Sequence, residues 1–322
     1  MPEPVRVLLH NAETSGLASK TRATYPDVII EECQSYAALT DHIDRFRPDV
    51  VYSVRFDGTP GYPRDSLFGP NGPAWVANGG AGIDHFRVWD PAKVTVTNAA
   101  GVAADMMAEF VVGAFLHFTL DIPGLQVDKA HKVWRGRKVR PIKGQTLLIL
   151  GLGQTGRAIA KRAHAFGMTV IGTRARPKEM ENVDEVHAAS DLHDLLPRAD
   201  FIAVSTPLTK TTRGLLGKDE FALMKSGVIL ADVSRGGVIN GDAVREALDS
   251  GQVAGAALDV FESEPLPEDS PFWTAPNALI SPHASSVFDG WEDASFDLFL
   301  KNLGHWIAGE PLFNVVDPTR GY

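Results

Sequence analysis

Four polar side chains, each placed directly after a short apolar segment, have the types that could carry out chemistry. They are Thr206, Arg235, Glu264 and His283. A histidine can move a proton near neutral pH, a carboxylate can orient that histidine, and an arginine can bind an anion. Ligands bind beyond the carboxyl ends of parallel strands. If the apolar segments are such strands, the sequence predicts a functional site at this edge of the sheet.

A glycine-rich segment lies between an apolar run and a helical pattern in the middle of the chain. Gly151, Gly153 and Gly156 form G-x-G-x-x-G, preceded by the apolar residues 147–150 and followed by an apolar helical face within 157–166. In this setting, the glycines permit a tight turn, close approach of a pyrophosphate, and close packing of helix on strand. The helix N-terminus offers free N–H groups to the phosphates. The pattern predicts a dinucleotide site; the alternative is an ordinary turn.

The rest of the chain alternates apolar strand patterns with helical patterns, which predicts parallel α/β sheets. The predicted fold class is α/β, with two Rossmann-like or flavodoxin-like domains, doubly wound parallel sheets and a cleft between them. Residues 1–99 with 288–322 would form a discontinuous substrate domain, and 100–287 the dinucleotide-binding domain. A final helix at 291–308 would pack on the first domain. The predicted strands are 5–9, 28–31, 49–54, 74–77, 94–97, 147–150, 168–171, 200–204, 227–233, 253–260 and 278–281, and the other predicted helices are 37–46, 103–120, 157–166 and 242–248.

Composition excludes several classes of function. The 322-residue chain has a formal net charge of −9 and a pI near 5.6, so nucleic-acid binding has no electrostatic support. Cys33 is the single cysteine, which excludes an internal disulfide and a cysteine-based metal cluster and is consistent with a reducing cytoplasm. We expect no metal, and we expect no signal peptide, since the N-terminus has no basic region followed by a long apolar segment. We also expect no membrane partner, because the longest apolar run, within 110–120, is too short to span a bilayer.

Several motifs, in a fixed order along nearly the whole chain, carry a resemblance to a known family. The sequence resembles the D-isomer-specific 2-hydroxyacid dehydrogenases, and most of all their shorter members that reduce glyoxylate, hydroxypyruvate or related 2-keto acids. The resemblance implies hydride transfer from NAD(P)H to a small 2-keto acid, giving the D-2-hydroxy acid. The matching segments are 79–85, 151–156, Thr206-Pro207-Leu208 with Thr212, Ser234-Arg235-Gly236, Asp259-Val260-Phe261 with Glu264-Pro265-Leu266, and Ser281-Pro282-His283.

The resemblance also implies roles for individual residues. His283 would donate the proton, Glu264 would orient it, and Arg235 would polarise the carbonyl while it pairs with the substrate carboxylate. The backbone N–H groups of Ala81 and Gly82 would bind the same carboxylate, as successive glycines can form a concave set of donors. The residues predicted to bind the cofactor are Gly151, Gly153, Gln154, Thr155, Gly156, Arg174, Arg176, Thr206, Pro207, Val233, Ser234, Asp259 and His283.

The chain departs from the family pattern at the end of the second strand of the dinucleotide fold. NAD-using members carry an aspartate there, which accepts from the adenosine ribose. This chain has Arg174 at that position, followed by Arg176. Arginine cannot accept a hydrogen bond but pairs well with a 2′-phosphate. The departure predicts preference for NADP(H), with Arg174 as the main contact and Arg176 or Thr173 secondary; the alternatives are solvated arginines and use of NAD(H).

Other functions are compatible with the same fold. A formate dehydrogenase-like enzyme is disfavoured, because those relatives pair the histidine with glutamine and this chain has Glu264. A phosphite-oxidising relative has no specific support. A corepressor-like scaffold that binds NAD(H) is the non-enzyme alternative, since fold does not fix function. The resemblance, and the apolar helix near Phe110, also predict a homodimer.

Overall fold

The computed structural model describes residues 3–55 and 61–318 of the chain. The chain folds into two compact units, Met1–Val102 with Asp289–Tyr322 and Ala103–Phe288. The boundaries expected from the sequence lie close to these, at 99 against 102 and at 287 against 288.

The first unit contains a five-stranded sheet in which every strand pair is parallel, in the order β2-β1-β3-β4-β5. Leu8 faces one apolar cluster, and Val7 and Leu9 face another, so the sheet is covered on both faces. Its strands are β1 Arg6–His10, β2 Ile29–Cys33, β3 Val50–Ser53, β4 Trp75–Asn78 and β5 Thr95–Thr97, and its helices are α1 Ser15–Thr24, α2 Leu39–Phe46, α3 Arg64–Leu67 and α10 Trp291–Ala308.

The second unit contains a seven-stranded parallel sheet in the order β12-β11-β10-β9-β6-β7-β8. Together the two parallel sheets confirm the α/β class. Its strands are β6 Thr146–Leu150, β7 Thr169–Thr173, β8 Glu185–His187, β9 Phe201–Val204, β10 Val228–Asp232, β11 Val253–Leu258 and β12 Ala278–Ile280. Its helices are α4 Ala104–Thr119, α5 Ile122–His131, α6 Gln154–Ala165, α7 Leu192–Leu195, α8 Lys218–Leu223 and α9 Gly241–Asp249.

The strand order of the second sheet reverses at β6, because β7 pairs with one side of β6 and β9 with the other. This reversal is the point at which open α/β sheets bind ligands, and the glycine motif begins directly after β6. Successive side chains of β6 point to opposite faces, as a strand requires. Leu147 and Ile149 join the cluster formed with α4 and α6, while Leu148 and Leu150 join the opposite cluster.

The final helix, α10, belongs to the first unit although it follows the second unit in sequence. Its residues Phe296, Phe299 and Leu303 are buried in the same cluster as Val7 and Trp75. Burying side chains of this size contributes about 1.5–3 kcal/mol each. The C-terminal helix therefore completes the core of the N-terminal sheet.

The long apolar helix α4 is covered mainly by its own unit. Ala108, Val111 and Phe115 are buried in one cluster with Ile159 and Ala163 of α6. The helix also packs on β10 and β11, so more than one of its faces is buried. This explains why its sequence is apolar nearly all round.

No sequence pattern indicated β8, the short helices α3, α7 and α8, or the two longer helices α1 and α5. In α1 only Ala18 and Thr21 are buried, and in α5 only Asp128 is. These elements lack the periodic apolar face on which pattern recognition depends. No single helix of the described residues is long and apolar enough to cross a membrane; α4 and α5 pass that test only when taken together, across a bend of 55°.

Candidate active site

The predicted acid–base pair, Glu264 and His283, is in direct contact. His283 Nδ1 lies 2.8 Å from Glu264 Oε2, and the other oxygen, Oε1, accepts the backbone N–H of Phe261 at 2.9 Å. A carboxylate on Nδ1 fixes both the ring orientation and the tautomer, because Nδ1 then carries its proton toward Glu264. Because Glu264 occupies Nδ1, Nε2 is the nitrogen left for a substrate. The side chains of His283 and Glu264 are 39% and 36% exposed.

The turn that carries His283 is stabilised by hydrogen bonds to Asp259, which follows β11. The backbone N–H of His283 donates to the Asp259 carbonyl at 2.9 Å. The buried Asp259 carboxylate accepts the N–H groups of Ala284 and Ser285 at 2.9 and 3.0 Å, and the Ser285 hydroxyl at 2.5 Å. His283 itself has φ +54°, in the left-handed region that residues other than glycine rarely adopt. Asp259, expected as a cofactor residue, has its carboxylate engaged in stabilising this turn.

Arg235 lies three residues beyond the end of β10 and is half-buried. Its Nη1 donates to the Ser234 carbonyl at 2.7 Å. Ser234 is buried and donates both its N–H (3.0 Å) and its hydroxyl (2.5 Å) to Asp232 Oδ1. Burial raises the pKa of Asp232 from 3.8 to about 7, and the neighbouring Asp259 adds to this effect. The Arg235 segment is therefore held by a buried carboxyl group, as the His283 turn is.

Gly236 brings the Arg235 segment directly against the segment that leads to Glu264. A Cβ atom at Gly236 would lie 1.9 Å from the Phe261 carbonyl oxygen and 2.6 Å from the Glu262 nitrogen. Backbone cannot yield at such distances, so glycine is required here. Arg235, Glu264 and His283 are thus carried by neighbouring segments at the carboxyl edge of one sheet, as the sequence predicted for these positions.

The three glycines of the motif have three different environments. A Cβ at Gly151 (φ +101°) would lie 3.0 Å from the Thr206 backbone, and a Cβ at Gly156 would lie 2.1 Å from the Gly151 carbonyl oxygen. At Gly153 a Cβ would meet nothing within 4 Å. The first and third glycines permit the tight turn and the close packing, while the second leaves open backbone at the N-terminus of α6. This geometry fits a pyrophosphate.

Of the other expected cofactor residues, Gln154 and Thr155 form the first turn of α6, and Thr155 Oγ1 lies 3.7 Å from Met107 Sδ. The Pro207 carbonyl accepts the Thr212 hydroxyl at 2.6 Å, which fixes the loop after β9. Val233 is buried at the end of β10. These residues all lie at the carboxyl edge of the second sheet.

Arg174 follows β7 and lines a cavity of about 640 Å³ beside the glycine motif. Three further basic side chains, which were not predicted from the sequence, also line it: Arg157, Lys161 and Lys178. The spacing of Arg157 and Lys161 on α6 is i,i+4, which places them on one face and could have revealed them. Glu179 and Glu181 also line the cavity. Arg176 is exposed and Thr173 is buried in β7; neither is part of the lining.

The loop with Ala81 and Gly82 follows β4 in the first unit. Among the residues that the structure describes, the backbone N–H groups of Gly80, Ala81 and Gly82 donate to no other group. Ala81 is exposed and Gly82 half-buried. Three successive N–H groups without an acceptor among the described residues are donors that an anion could use.

Three of the histidines without a predicted role, His10, His131 and His193, make local contacts of their own. His10 is fully buried at the end of β1, where its Nδ1 lies 2.8 Å from Ser53 Oγ and burial lowers its pKa from 6.5 to about 4. His193 is exposed and pairs with Glu220, and the exposed His131 contacts a backbone carbonyl. The described residues contain no group of three histidine, cysteine or acidic side chains arranged to hold a metal ion.

Comparison with known proteins places the chain in a family. Residues 112–285 match the family model "D-isomer specific 2-hydroxyacid dehydrogenase, NAD binding domain". A glyoxylate reductase of Thermococcus litoralis is 34% identical over 254 residues, which cover 75% of this chain and 76% of that enzyme. A D-3-phosphoglycerate dehydrogenase of Methanocaldococcus jannaschii is 34% identical over 247 residues, 75% of this chain but only 47% of that protein.

Solved structures agree over almost the whole chain. A D-isomer specific 2-hydroxyacid dehydrogenase from Xanthobacter autotrophicus Py2, in complex with NADPH and MES, superposes with a TM-score of 0.83 and 30% identity, covering 99% of this chain and 100% of that one. An NADPH-dependent glyoxylate/hydroxypyruvate reductase from Sinorhizobium meliloti, in complex with NADP and sulfate, gives 0.81 and 26%, with 99% and 100% covered. The resemblance stated from the sequence is therefore confirmed.

Proposed function

The chain belongs to the D-isomer-specific 2-hydroxyacid dehydrogenase family and is an NAD(P)-dependent oxidoreductase, and we propose that it is an NADPH-preferring reductase of small 2-keto acids. Glyoxylate and hydroxypyruvate are the substrates that we propose first. The observation that carries the proposal is the 2.8 Å contact between His283 and Glu264. It leaves one imidazole nitrogen available for proton transfer beside an arginine segment, which is what reduction of a 2-keto acid requires.

Preference for NADPH is supported by the basic cavity around Arg174. Arg157, Lys161 and Lys178 share its lining, so the cationic side chains there outnumber the carboxylates of Glu179 and Glu181. A 2′-phosphate carries a charge near −2 and accepts several charge-assisted hydrogen bonds, whereas a ribose hydroxyl gains little from arginine. Two solved relatives, from Xanthobacter and Sinorhizobium, hold NADPH or NADP.

Bound NADPH supplies the hydride that is added to C2 of the keto acid. His283 Nε2 donates a proton to the carbonyl oxygen, so that the carbonyl becomes a hydroxyl group. Glu264 accepts from Nδ1 and stabilises the protonated ring before transfer. Arg235 pairs with the substrate carboxylate and draws electron density from the carbonyl, which favours charge on its oxygen in the transition state.

The substrate carboxylate is also the proposed ligand of the loop that contains Ala81 and Gly82. Backbone N–H groups bind carboxylates without adding a side chain to the pocket.

We further propose that the enzyme works in the cytoplasm and as a homodimer. The exposed apolar side chains of Leu125, Val127 and Trp134 support pairing with a second copy. Light scattering should then give twice the 34.8 kDa of one chain.

The decisive experiment measures initial rates of NADPH and NADH oxidation with glyoxylate, hydroxypyruvate, pyruvate, phenylpyruvate and 2-ketoisocaproate. We expect turnover of one or two of these acids, with a higher kcat/KM for NADPH than for NADH. Arg174→Asp should lower kcat/KM for NADPH by about tenfold to a hundredfold, because hydrogen bonds to charged groups contribute about 1.5–3 kcal/mol. Its kcat/KM for NADH should fall much less.

Arg176→Asp is the comparison variant, since it makes the same charge change two residues further along and outside the cavity lining. It should move the ratio of NADPH to NADH efficiency less than Arg174→Asp does. Preference of the wild-type enzyme for NADH would overturn the cofactor proposal and leave the reaction class intact. If no acid is turned over with either cofactor, the scaffold alternative becomes the better account.

A further inference from the structure

The loop after β4 accepts hydrogen bonds from the side chain of Asn78, the last residue of that strand. Asn78 is 4% exposed, and its Nδ2 donates to the carbonyl oxygens of Gly80 at 2.7 Å and Gly82 at 2.9 Å. The Gly80 carbonyl also accepts the backbone N–H of Ala99 at 3.0 Å. One buried amide group therefore links two carbonyl groups of the loop.

Two further side chains, from distant parts of the chain, also donate to carbonyl groups of this loop. We call such side-chain hydrogen bonds to the loop carbonyls tethers. Asn98, which follows β5 and is 8% exposed, donates from Nδ2 to the Ala81 carbonyl at 2.7 Å. Ser295 of α10, which is 2% exposed, donates from Oγ to the Gly79 carbonyl at 2.5 Å. Asn98 is held in turn by Asn314, whose backbone carbonyl accepts its N–H and whose side chain donates to its carbonyl, both at 3.2 Å. All four carbonyl groups from 79 to 82 are thus occupied.

Occupied carbonyls set the direction of the amides that follow them. A trans peptide unit is planar, so the C=O of one residue and the N–H of the next point in opposite directions. Ser295 therefore orients the N–H of Gly80, and Asn98 orients the N–H of Gly82. Asn78 and Ala99 do the same for Ala81 by binding the Gly80 carbonyl. These are the three N–H groups that donate to no other group of the described residues.

We propose that Asn98 and Ser295 are positioning residues for substrate recognition, which aim the backbone N–H groups of Gly82 and Gly80 at the carboxylate of the 2-keto acid. They do not touch the substrate; they fix the loop that does. This inference rests on the proposed function, in which the loop binds the substrate carboxylate. A donor set that is rigid before binding costs less to order than a flexible one, so removing a tether should weaken substrate binding more than cofactor binding.

The test uses Asn98→Ala and Ser295→Ala, with Ser295→Thr as the variant that keeps the hydroxyl. For each protein, KM for the best keto acid, KM for NADPH, kcat and Tm are measured, and oxalate affinity is measured by calorimetry in the presence of NADP. We expect KM for the keto acid and the Kd of oxalate to rise about tenfold, equivalent to about 1.4 kcal/mol. KM for NADPH should stay within twofold, and Ser295→Thr should retain the wild-type affinity.

Asn302→Ala is the matched control. Asn302 is an equally buried asparagine of the same unit, 2% exposed, and its side chain bonds the carbonyl and the N–H of Phe313 at 3.1 and 2.7 Å. It should lower Tm without raising the Kd of oxalate. If both tether variants lower Tm as Asn302→Ala does and leave oxalate affinity unchanged, the residues are structural only and the inference is overturned.

Oxalate binding does not depend on turnover, which separates the two proposals. A wild-type protein that binds oxalate, loses affinity in Asn98→Ala and Ser295→Ala, but turns over no keto acid contradicts the proposed function and supports the loop. A wild-type protein that turns over keto acids while its tether variants retain full affinity supports the function and overturns the loop inference. No oxalate binding by the wild-type protein also overturns it.

Discussion

The molecule contains two glycine-rich loops that follow parallel strands, and they prepare their N–H donors by different means. The loop Gly151–Gly156 runs into the twelve-residue helix α6, whose N-terminus supplies aligned N–H groups and a positive dipole end. The loop Asn78–Gly82 is followed only by a single 3₁₀ turn at Asp84–Phe86. It has no long helix to orient its donors, and buried side chains hold its carbonyl groups instead.

The difference gives two ways to prepare backbone donors for the anions that we propose as their ligands. The helical site is local, because sixteen residues or so of continuous sequence contain the strand end, the glycines and the helix. The tethered site draws on Asn78, Asn98 and Ser295, which come together only through the sheet and α10. A helical site should resist loss of any one side chain, whereas a tethered site should depend on each tether.

The largest expected effect is that of His283→Ala on kcat, because His283 is the proposed proton donor and lies in neither glycine-rich loop. His283→Ala should lower kcat by at least about a hundredfold, because a positioned general acid contributes about 10²–10⁴ in rate. The affinity for NADPH should change much less than kcat, since the glycine motif that would bind its pyrophosphate does not depend on the His283 side chain. Steady-state kinetics and calorimetry measure these quantities. Turnover near the wild-type rate would remove His283 from the mechanism and leave the comparison of the loops untouched.

The next effect concerns what each loop can tolerate at a glycine. A Cβ at Gly156 would meet the Gly151 carbonyl oxygen at 2.1 Å, whereas a Cβ at Gly79 would meet the side chains of Val54 and Tyr52 at 2.5 and 2.6 Å. Side chains can shift and backbone cannot. Gly156→Ala should therefore raise the Kd for NADPH by about tenfold or more, and more than Gly79→Ala raises the Kd for oxalate.

Gly113→Ala is the control for the glycine variants, because Gly113 lies in α4 and a Cβ there would meet nothing within 4 Å. It should raise the free energy of unfolding by about 0.4–1 kcal/mol and leave both affinities unchanged. Equal losses of affinity in Gly156→Ala and Gly79→Ala would mean that the two loops are equally rigid. The contrast drawn between them would then be wrong.

The smallest expected effect concerns Asp232, which holds the Arg235 segment much as Asn98 holds the loop after β4. Its pKa is raised by burial from 3.8 to about 7, so the folded protein binds a proton there more tightly than the unfolded chain. The resulting stabilisation is fully present below about pH 4 and is lost as the pH rises through 7, with a slope of at most about 1.4 kcal/mol per pH unit. Asp232→Asn should flatten this decline between about pH 4 and pH 7.

Urea unfolding at several pH values measures the slope, and Asp269→Asn provides the control, since Asp269 is an exposed carboxylate of the same unit. That control should follow the wild-type curve. An Asp232→Asn protein with the wild-type slope would show that Asp232 is already ionised in the folded protein at neutral pH.

The α/β fold, the glycine motif and Arg174 could be predicted from the sequence because their signals are local. Continuous apolar runs identified most strands of the two parallel sheets, and the glycine motif located the point where the strand order reverses. Elements without an apolar face, such as α1 and β8, gave no periodic signal. Arg174 could be recognised by its place after β7, and Lys161 could have been recognised by its spacing from Arg157 on α6.

The sequence by itself determined which residues could react and where each sits along a strand, since strand ends and helix starts are properties of neighbouring residues. Only the tertiary structure decided how those groups are held. Asp259 supports the His283 turn from 24 residues away, and Ser295 binds the Gly79 carbonyl across 216 residues of chain. Such contacts depend on how the sheets and α10 pack, and hydrogen bonds between residues so far apart leave no pattern in the sequence.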